Sequence, residues 1–126
     1  TPVAASGPRM RPRDLLKIGQ IVLDRGRWQN QQVVSRAWIE ESTAPHINGD
    51  GLFFYGYQWW LGRSLANREE IKWISGMGYG GQRLYVVPSK GLVVLTMAGL
   101  YDSTMVHGIV GEIVLRRYVL QSVVTL

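Results

Sequence analysis

The residues with the clearest chemical use are Gly76-Met-Gly-Tyr-Gly-Gly-Gln82, which hold four of the chain's 15 glycines. This segment matches Gly-x-Gly-x-x-Gly, a pattern that lets the phosphates of a dinucleotide approach the backbone. That site needs a helix directly after the glycines, whereas the residues after Gln82 predict a strand. Two interpretations stay open. The segment is either a bulged strand edge that another backbone approaches closely, or a ligand-facing strand whose N–H groups polarise a carbonyl.

The two histidines, His46 and His107, are the other candidates for chemistry. His46 follows Pro45 in a segment rich in turn-forming residues, and we interpret it as a loop histidine. His107 opens the predicted last helix, where it either faces the glycines as a substrate-binding residue or serves as a capping or surface residue. The two histidines are far apart, no carboxylates cluster beside them, and the chain has no cysteine. We therefore predict no metal site, no thiol nucleophile and no cofactor.

Composition limits the classes of partner. With 126 residues, 46% of them hydrophobic, the chain is long enough for one modest domain with a packed core. A net charge of +5 suits a nucleic-acid binder, but the positive residues are scattered and form no basic stripe interleaved with aromatics. We interpret them as an ordinary basic surface and predict no nucleic-acid partner. No apolar run approaches the roughly 18 residues of a spanning helix, so we predict no membrane span.

Helices are predicted before and after the glycine segment. Pro12 suits the first turn of a helix of about 13 residues, which Gly26 ends. Ser35 suits the cap of a short second helix, and Asp102 or Ser103 suits the cap of a last one. The apolar residues of the last helix recur at helical spacing: Val106, Ile109, Val110, Ile113 and Val114.

Strands are predicted between the second and last helices, over residues 55–61 and 71–74, with a loop at 43–54 and a turn at 64–70. Residues 82–87 and 92–98, separated by Pro88-Ser-Lys-Gly91, predict a hairpin. Its second strand is apolar on both faces, which predicts a central place in a sheet covered on both sides. The order predicts an α+β fold, with an antiparallel sheet of three or more strands, flanking helices, and the C-terminal helix packed on the sheet.

Several segments in this order resemble serine β-lactamase-related proteins, which include class C β-lactamases, esterases of that fold and 6-aminohexanoate-oligomer hydrolases. The resemblance runs from about Gly7 to Asp102. The segments that carry it are Arg11-Pro-Arg-Asp-Leu-Leu-Lys-Ile-Gly19, Gly26-Arg-Trp28, Val34-Ser-Arg-Ala-Trp-Ile39 with Ser42, Tyr55-Gly-Tyr-Gln-Trp-Trp60, Gly78-Tyr-Gly-Gly-Gln82, Val86-Val-Pro88 and the strand from Leu92 to Thr96.

The resemblance implies a partial β-lactamase or transpeptidase-like fold and a task for the glycines. In that family a Lys-Thr-Gly-type strand borders the active site, and the residue after its glycine donates a backbone N–H to the oxyanion hole. The matching place here is Gly76-Met77-Gly78, which puts Tyr79 at the donor position and Gly78 and Gly80 at the substrate. The Lys and Thr are replaced, which disfavours β-lactam turnover and favours an esterase or amidase.

The nucleophile of this family and its base are missing from the sequence. No Ser-x-x-Lys and no Tyr-x-Asn occurs in the 126 residues. The chain begins at Thr1, and its first residues are small and include proline and glycine. We therefore expect residues 1–10 to be a connector and 1–126 to be a C-terminal part of a longer hydrolase, inactive by itself.

The resemblance implies a function for that longer protein, a serine acyl hydrolase that forms an acyl-enzyme with a small ester, amide or peptide-like substrate. The alternative is a non-catalytic module of the same fold that binds peptide or cell-wall-like ligands. The resemblance also favours an exported or periplasmic protein. As an isolated piece, the chain is expected to expose apolar surface and to self-associate.

Overall fold

A computed structural model describes residues 7–49, 51, 53–102 and 109–124. The first helix, α1 (Pro12–Leu23), begins at its proline and ends before Gly26, whose φ is +90°. A small hairpin of β1 (Arg27–Trp28) and β2 (Gln31–Gln32) follows. In α2 (Arg36–Ser42), the hydroxyl of Ser35 accepts a hydrogen bond from the backbone N–H of Trp38 at 3.1 Å. Both predicted helices and the Ser35 cap are confirmed.

Six antiparallel strands form the main sheet, and each pairs with the next one along the chain. The strands are β3 (Ile47–Asn48), β4 (Phe54–Tyr55), β5 (Trp60–Ala66), β6 (Glu69–Gly78), β7 (Gln82–Val87) and β8 (Leu92–Thr96). The α+β class and the predicted hairpin of β7 and β8 are confirmed. Its connection is a single helical turn that ends at Gly91, which has a φ of +60°.

Several strand boundaries predicted from the sequence are wrong. The loop predicted at 43–54 contains β3 and the start of β4, and the strand predicted over 71–74 extends from Glu69 to Gly78. The strand predicted over 55–61 is interrupted by a turn, because the N–H of Gly56 bonds to the carbonyl of Trp59 and the N–H of Tyr57 to that of Ser42. The polar segment predicted as a turn at 64–70 is mostly strand. Only Asn67 and Arg68 turn, both at positive φ as a two-residue hairpin loop requires.

The strand β8 corrects a further prediction, since it lies at the end of the sheet order and not at its centre within the described chain. Both of its faces are nevertheless covered. Val93 lies under Gly19 of α1 on one face. On the other face, Leu92 and Val94 pack against the hydrophobic core that contains Trp73 and Tyr85. Apolar residues on both faces of a strand indicate that both faces of the sheet are covered. They do not indicate whether the strand has a hydrogen-bonded neighbour on each side.

The sheet therefore separates two cores. One core joins Val22 of α1 and Ile39 of α2 to Val86 of β7. The other joins Trp73 and Tyr85 to Leu115 of the C-terminal helical segment, which confirms that this segment packs on the sheet. Among the described residues, no helix has both the length and the hydropathy needed to span a bilayer.

The C-terminal segment uses a different face from the one predicted. It consists of α3 (Ile109–Ile113), a π-helical stretch (Val114–Val119) and α4 (Leu120–Val124). Ile109, Val110 and Ile113 of the predicted stripe are exposed, and Val106 lies outside the described residues. Leu115 and Leu120 are buried instead, because the N–H of Leu120 bonds five residues back to Leu115 and brings both side chains to one face.

Candidate functional site

The glycine segment forms the end of β6 and the turn into β7. Met77 pairs with Arg83, and Gly78 pairs with Gln82, so that residues 79–81 make the turn. Gly80 and Gly81 have φ values of +93° and +105°, a region that glycine enters without strain. Gly78 and Tyr79 are exposed at this end of the sheet, whereas Gly80 is buried.

Gly80 is buried because the chain after β8 returns across the turn. The backbone N–H of Leu100 donates to the carbonyl of Gly80 at 2.9 Å. The ring of Tyr101 covers the glycine so closely that an added Cβ would lie 2.7 Å from its Cδ1. The close backbone approach expected from the first interpretation of the glycines is therefore present at Gly80, and the substrate-binding role of this residue remains a prediction.

Side-chain hydrogen bonds tie the turn to the returning segment. The amide of Gln82 donates to the carbonyl of Ala98 at 2.8 Å and to the hydroxyl of Tyr101 at 3.3 Å. The hydroxyl of Tyr79 donates to the carbonyl of Tyr101 at 2.8 Å, and the two tyrosine rings lie 6.1 Å apart. These hydrogen bonds join residues that are about twenty positions apart in the sequence, and they fix the position of the turn.

Arg83 supports the strand end from the opposite face and is a residue that the sequence analysis missed. Its side chain is only 7% exposed, and its Nη1 donates to the carbonyls of Gly78 and Gln82, both at 2.9 Å. Within the described residues it forms no ion pair, and its hydrogen bonds go to these two carbonyl groups. A positive charge so close to the strand end favours an anion there. The only signal in the sequence was a single arginine inside a β-branched run.

Two further polar groups lie beneath the C-terminal helical segment. The hydroxyls of Tyr85 and Thr96 are buried and have no hydrogen-bond partner among the described residues. The pKa of Tyr85 is raised to about 12, chiefly by burial and then by the carboxylate of Glu112, while the nearby Arg83 opposes the rise. Tyr85 therefore stays neutral, and we assign it to the core.

The structure brings together Gly78, Tyr79 and Gly80, and the predicted His107 lies outside the described residues. His46 belongs to a different surface. Its ring stacks on Tyr57 with centroids 4.1 Å apart, and its Nε2 lies 2.7 Å from the carbonyl oxygen of Glu41. In the described part of the chain, no group of three or more potential metal ligands lies together.

Comparison with known proteins shows a distant similarity to a hydrolase. The chain is 28% identical, over an alignment of 115 positions that covers 82% of the chain, to a 6-aminohexanoate-dimer hydrolase of Paenarthrobacter ureafaciens. The chain spans 28% of the length of that relative. No family model matches the chain. The match supports a distant similarity to hydrolases, at the level of the β-lactamase-related superfamily.

Proposed function

We propose that this chain supplies the oxyanion-side strand and one wall of the substrate cleft in a serine acyl hydrolase. The observation that carries the proposal is the exposed strand end at Gly78 and Tyr79, fixed from behind by the buried Arg83. The distant similarity to a hydrolase supports the same assignment. The substrate is a small ester, amide or peptide-like molecule, and the rest of the machinery lies outside these 126 residues.

The chemistry proposed is acyl transfer in two steps. A serine hydroxyl outside this chain attacks the substrate carbonyl carbon while a lysine takes its proton, and the carbonyl oxygen becomes negatively charged. The backbone N–H of Tyr79 donates to that oxygen. The leaving alcohol or amine departs with a proton, and water then cleaves the acyl-enzyme to release a carboxylic acid. Arg83 acts as a positioning residue, because it holds the carbonyl of Gly78 and adds a positive potential beneath the oxyanion.

The residues around Tyr79 favour esters and simple amides over β-lactams. At the places of the family's Lys and Thr, this chain has Gly76 and Met77. Neither residue has a cationic group or a hydroxyl that could bind a substrate carboxylate. Gly76 nevertheless leaves room for a Cβ, which would make ordinary van der Waals contacts with Trp59, at 3.7 Å, and Leu84, at 4.0 Å.

Backbone substitution at Tyr79 tests the proposal in the full-length polypeptide that carries this chain. Tyr79→Pro removes the N–H, and Tyr79→Ala keeps the N–H while it removes the side chain. With a p-nitrophenyl ester as substrate, we expect kcat to fall by about 10²–10³ for the proline variant and by only a few-fold for the alanine variant. Replacement of Tyr79 by its α-hydroxy acid removes the N–H alone and guards against misfolding of the proline variant.

Two results would contradict the assignment. One is equal activity of the proline and alanine variants. The other is a full-length polypeptide whose serines do not react with a fluorophosphonate probe. The replacement of Lys and Thr in the strand motif also suits a second candidate, a non-catalytic module that binds peptides. Peptide binding by calorimetry without any acylated serine would favour that candidate.

A further inference from the structure

A cavity of about 390 Å³ lies on the α2 side of the sheet, far from the glycine turn. Its apolar wall includes Leu61 of β5, Ile74 of β6 and Pro88 after β7, and Pro45 closes it from the segment after α2. Arg63 and Lys72 also line it. Lys72 is six residues from Gly78 along β6, which is about 20 Å of extended strand. The cavity is therefore separate from the proposed oxyanion site.

The two cations of this cavity lie side by side on neighbouring strands. Arg63 and Lys72 are directly paired in the register of β5 and β6, an arrangement in which like charges repel. Arg63 has a carboxylate at 3.7 Å, that of Glu70, and both side chains are about half-exposed, so the ion pair is weak.

Lys72 has no compensating carboxylate among the described residues. Within the described residues it makes no hydrogen bond and no ion pair. Glu69, the other acid at this end of β6, binds Lys90, with both carboxylate oxygens 2.9 Å from Nζ. Of the two cations, only Arg63 therefore has a carboxylate partner among the described residues, and an excess positive charge remains at the apolar cavity.

The size and the lining of this cavity indicate which class of ligand it suits. A cavity of this volume is at the lower end of the range for small-molecule sites, about 300–1,000 Å³. An apolar wall suits an alkyl or aryl group, and a cation at its edge suits one negative charge, best satisfied by a carboxylate. We propose that this cavity binds a compact alkyl or aryl carboxylate, with the carboxylate at Lys72 and Arg63 and the apolar group against Leu61 and Ile74. The proposal does not rest on the proposed hydrolase function.

Calorimetry with three eight-carbon probes tests the proposal on the chain as it stands. Octanoate, octanol and octylamine share the apolar group and differ in charge. We expect octanoate to bind, octanol to bind about tenfold more weakly, and octylamine not to bind. Lys72→Gln should weaken octanoate binding by about tenfold and leave octanol binding unchanged. Lys17→Gln is the matched control, because Lys17 is an exposed lysine of α1 that pairs with Asp14.

Each remaining outcome overturns the proposal. Equal affinity for octanoate and octanol means that the cations do not contribute. Octanoate binding that survives in Lys72→Gln places the carboxylate elsewhere. Equal weakening in Lys17→Gln and Lys72→Gln shows that net charge, and not this cavity, attracts the ligand. No heat of binding with any probe shows that the cavity is not a site for this class of ligand.

Discussion

Substitution of Gly80 by alanine tests how tightly the candidate site is packed, because it adds a single methyl group there. Its φ of +93° is unfavourable for any residue with a Cβ. A Cβ added there would overlap Cε1 of Tyr101 and lie 2.7 Å from Cδ1. The obstacle is a side chain that is 55% exposed, so the ring of Tyr101 can rotate away and leave the backbone in place.

The expected cost of Gly80→Ala has two parts. The backbone conformation costs about 1–2 kcal/mol for a residue with a Cβ. Rotation of Tyr101 breaks its hydrogen bond with Gln82 and its ring contact with Tyr79, which costs about 1 kcal/mol more. We therefore expect Gly80→Ala to lower the free energy of unfolding by about 2–3 kcal/mol. In a Tyr101→Ala background only the backbone part remains, so the two substitutions should be coupled by about 1 kcal/mol.

Urea unfolding followed by tryptophan fluorescence measures these free energies. Gly91→Ala is the matched control, because Gly91 also has a positive φ, +60°, and an added Cβ there would meet nothing within 4 Å. Its cost should be about 1 kcal/mol and independent of Tyr101. The reasoning is refuted if Gly80→Ala costs the same with and without the ring of Tyr101, or costs no more than Gly91→Ala.

Two predictions concern buried polar groups of the core beneath the C-terminal helical segment. Ser64→Ala leaves the buried indole N–H of Trp73 without the acceptor that lies 3.0 Å away. Urea unfolding should show a loss of about 1–3 kcal/mol, and Ser64→Thr, which keeps a hydroxyl, should recover part of it; equal stability of the alanine variant and the wild type would contradict this. For Tyr85, the folded-state pKa of about 12 exceeds the ordinary 10.0, so the folded protein keeps the proton longer than the unfolded chain. The associated stability is complete below pH 10 and is lost as the pH rises towards 12, with a slope of up to about 1.4 kcal/mol per pH unit. Tyr85→Phe should lack this slope, whereas Tyr118→Phe, at a tyrosine 67% exposed, should keep it; parallel profiles for the two variants would show that Tyr85 is not the group responsible.

Local signals predicted the parts of the fold that local chemistry decides. The Ser35 cap and the Gly91 turn depend on residues close in sequence, and both are present. The break between β4 and β5 depends on a distant contact, because the carbonyl of Ser42 binds the N–H of Tyr57. Alternating aromatic residues favour a strand at that place, and nothing in the local sequence reveals the interruption.

The C-terminal segment shows the same limit in another form. Its apolar residues suit α-helical spacing at Ile109, Val110 and Ile113, and those residues are exposed. One turn with a five-residue hydrogen bond changes which side chains face the sheet, so Leu115 and Leu120 are buried instead. A pattern search at a single helical period cannot find a face that is produced by a change of period.

The candidate site also combines features that the sequence predicted with features that depend on distant contacts. Among the latter is Arg83, which sets the electrostatic potential at the site. The glycines were visible in the sequence, but the residues that fix them come from the opposite strand and from the segment after β8. A guanidinium that is 7% exposed and forms no ion pair within the described chain would be costly to bury without hydrogen bonds. It is held by the carbonyls of Gly78 and Gln82, whose dipoles stabilise the charge without removing it. Part of its positive potential therefore remains at the strand end, in place before any substrate arrives. Such preorganisation stabilises a negative charge that develops during a reaction more than one already present in solution. This physical property is the reason that we propose acyl transfer at the exposed end of β6.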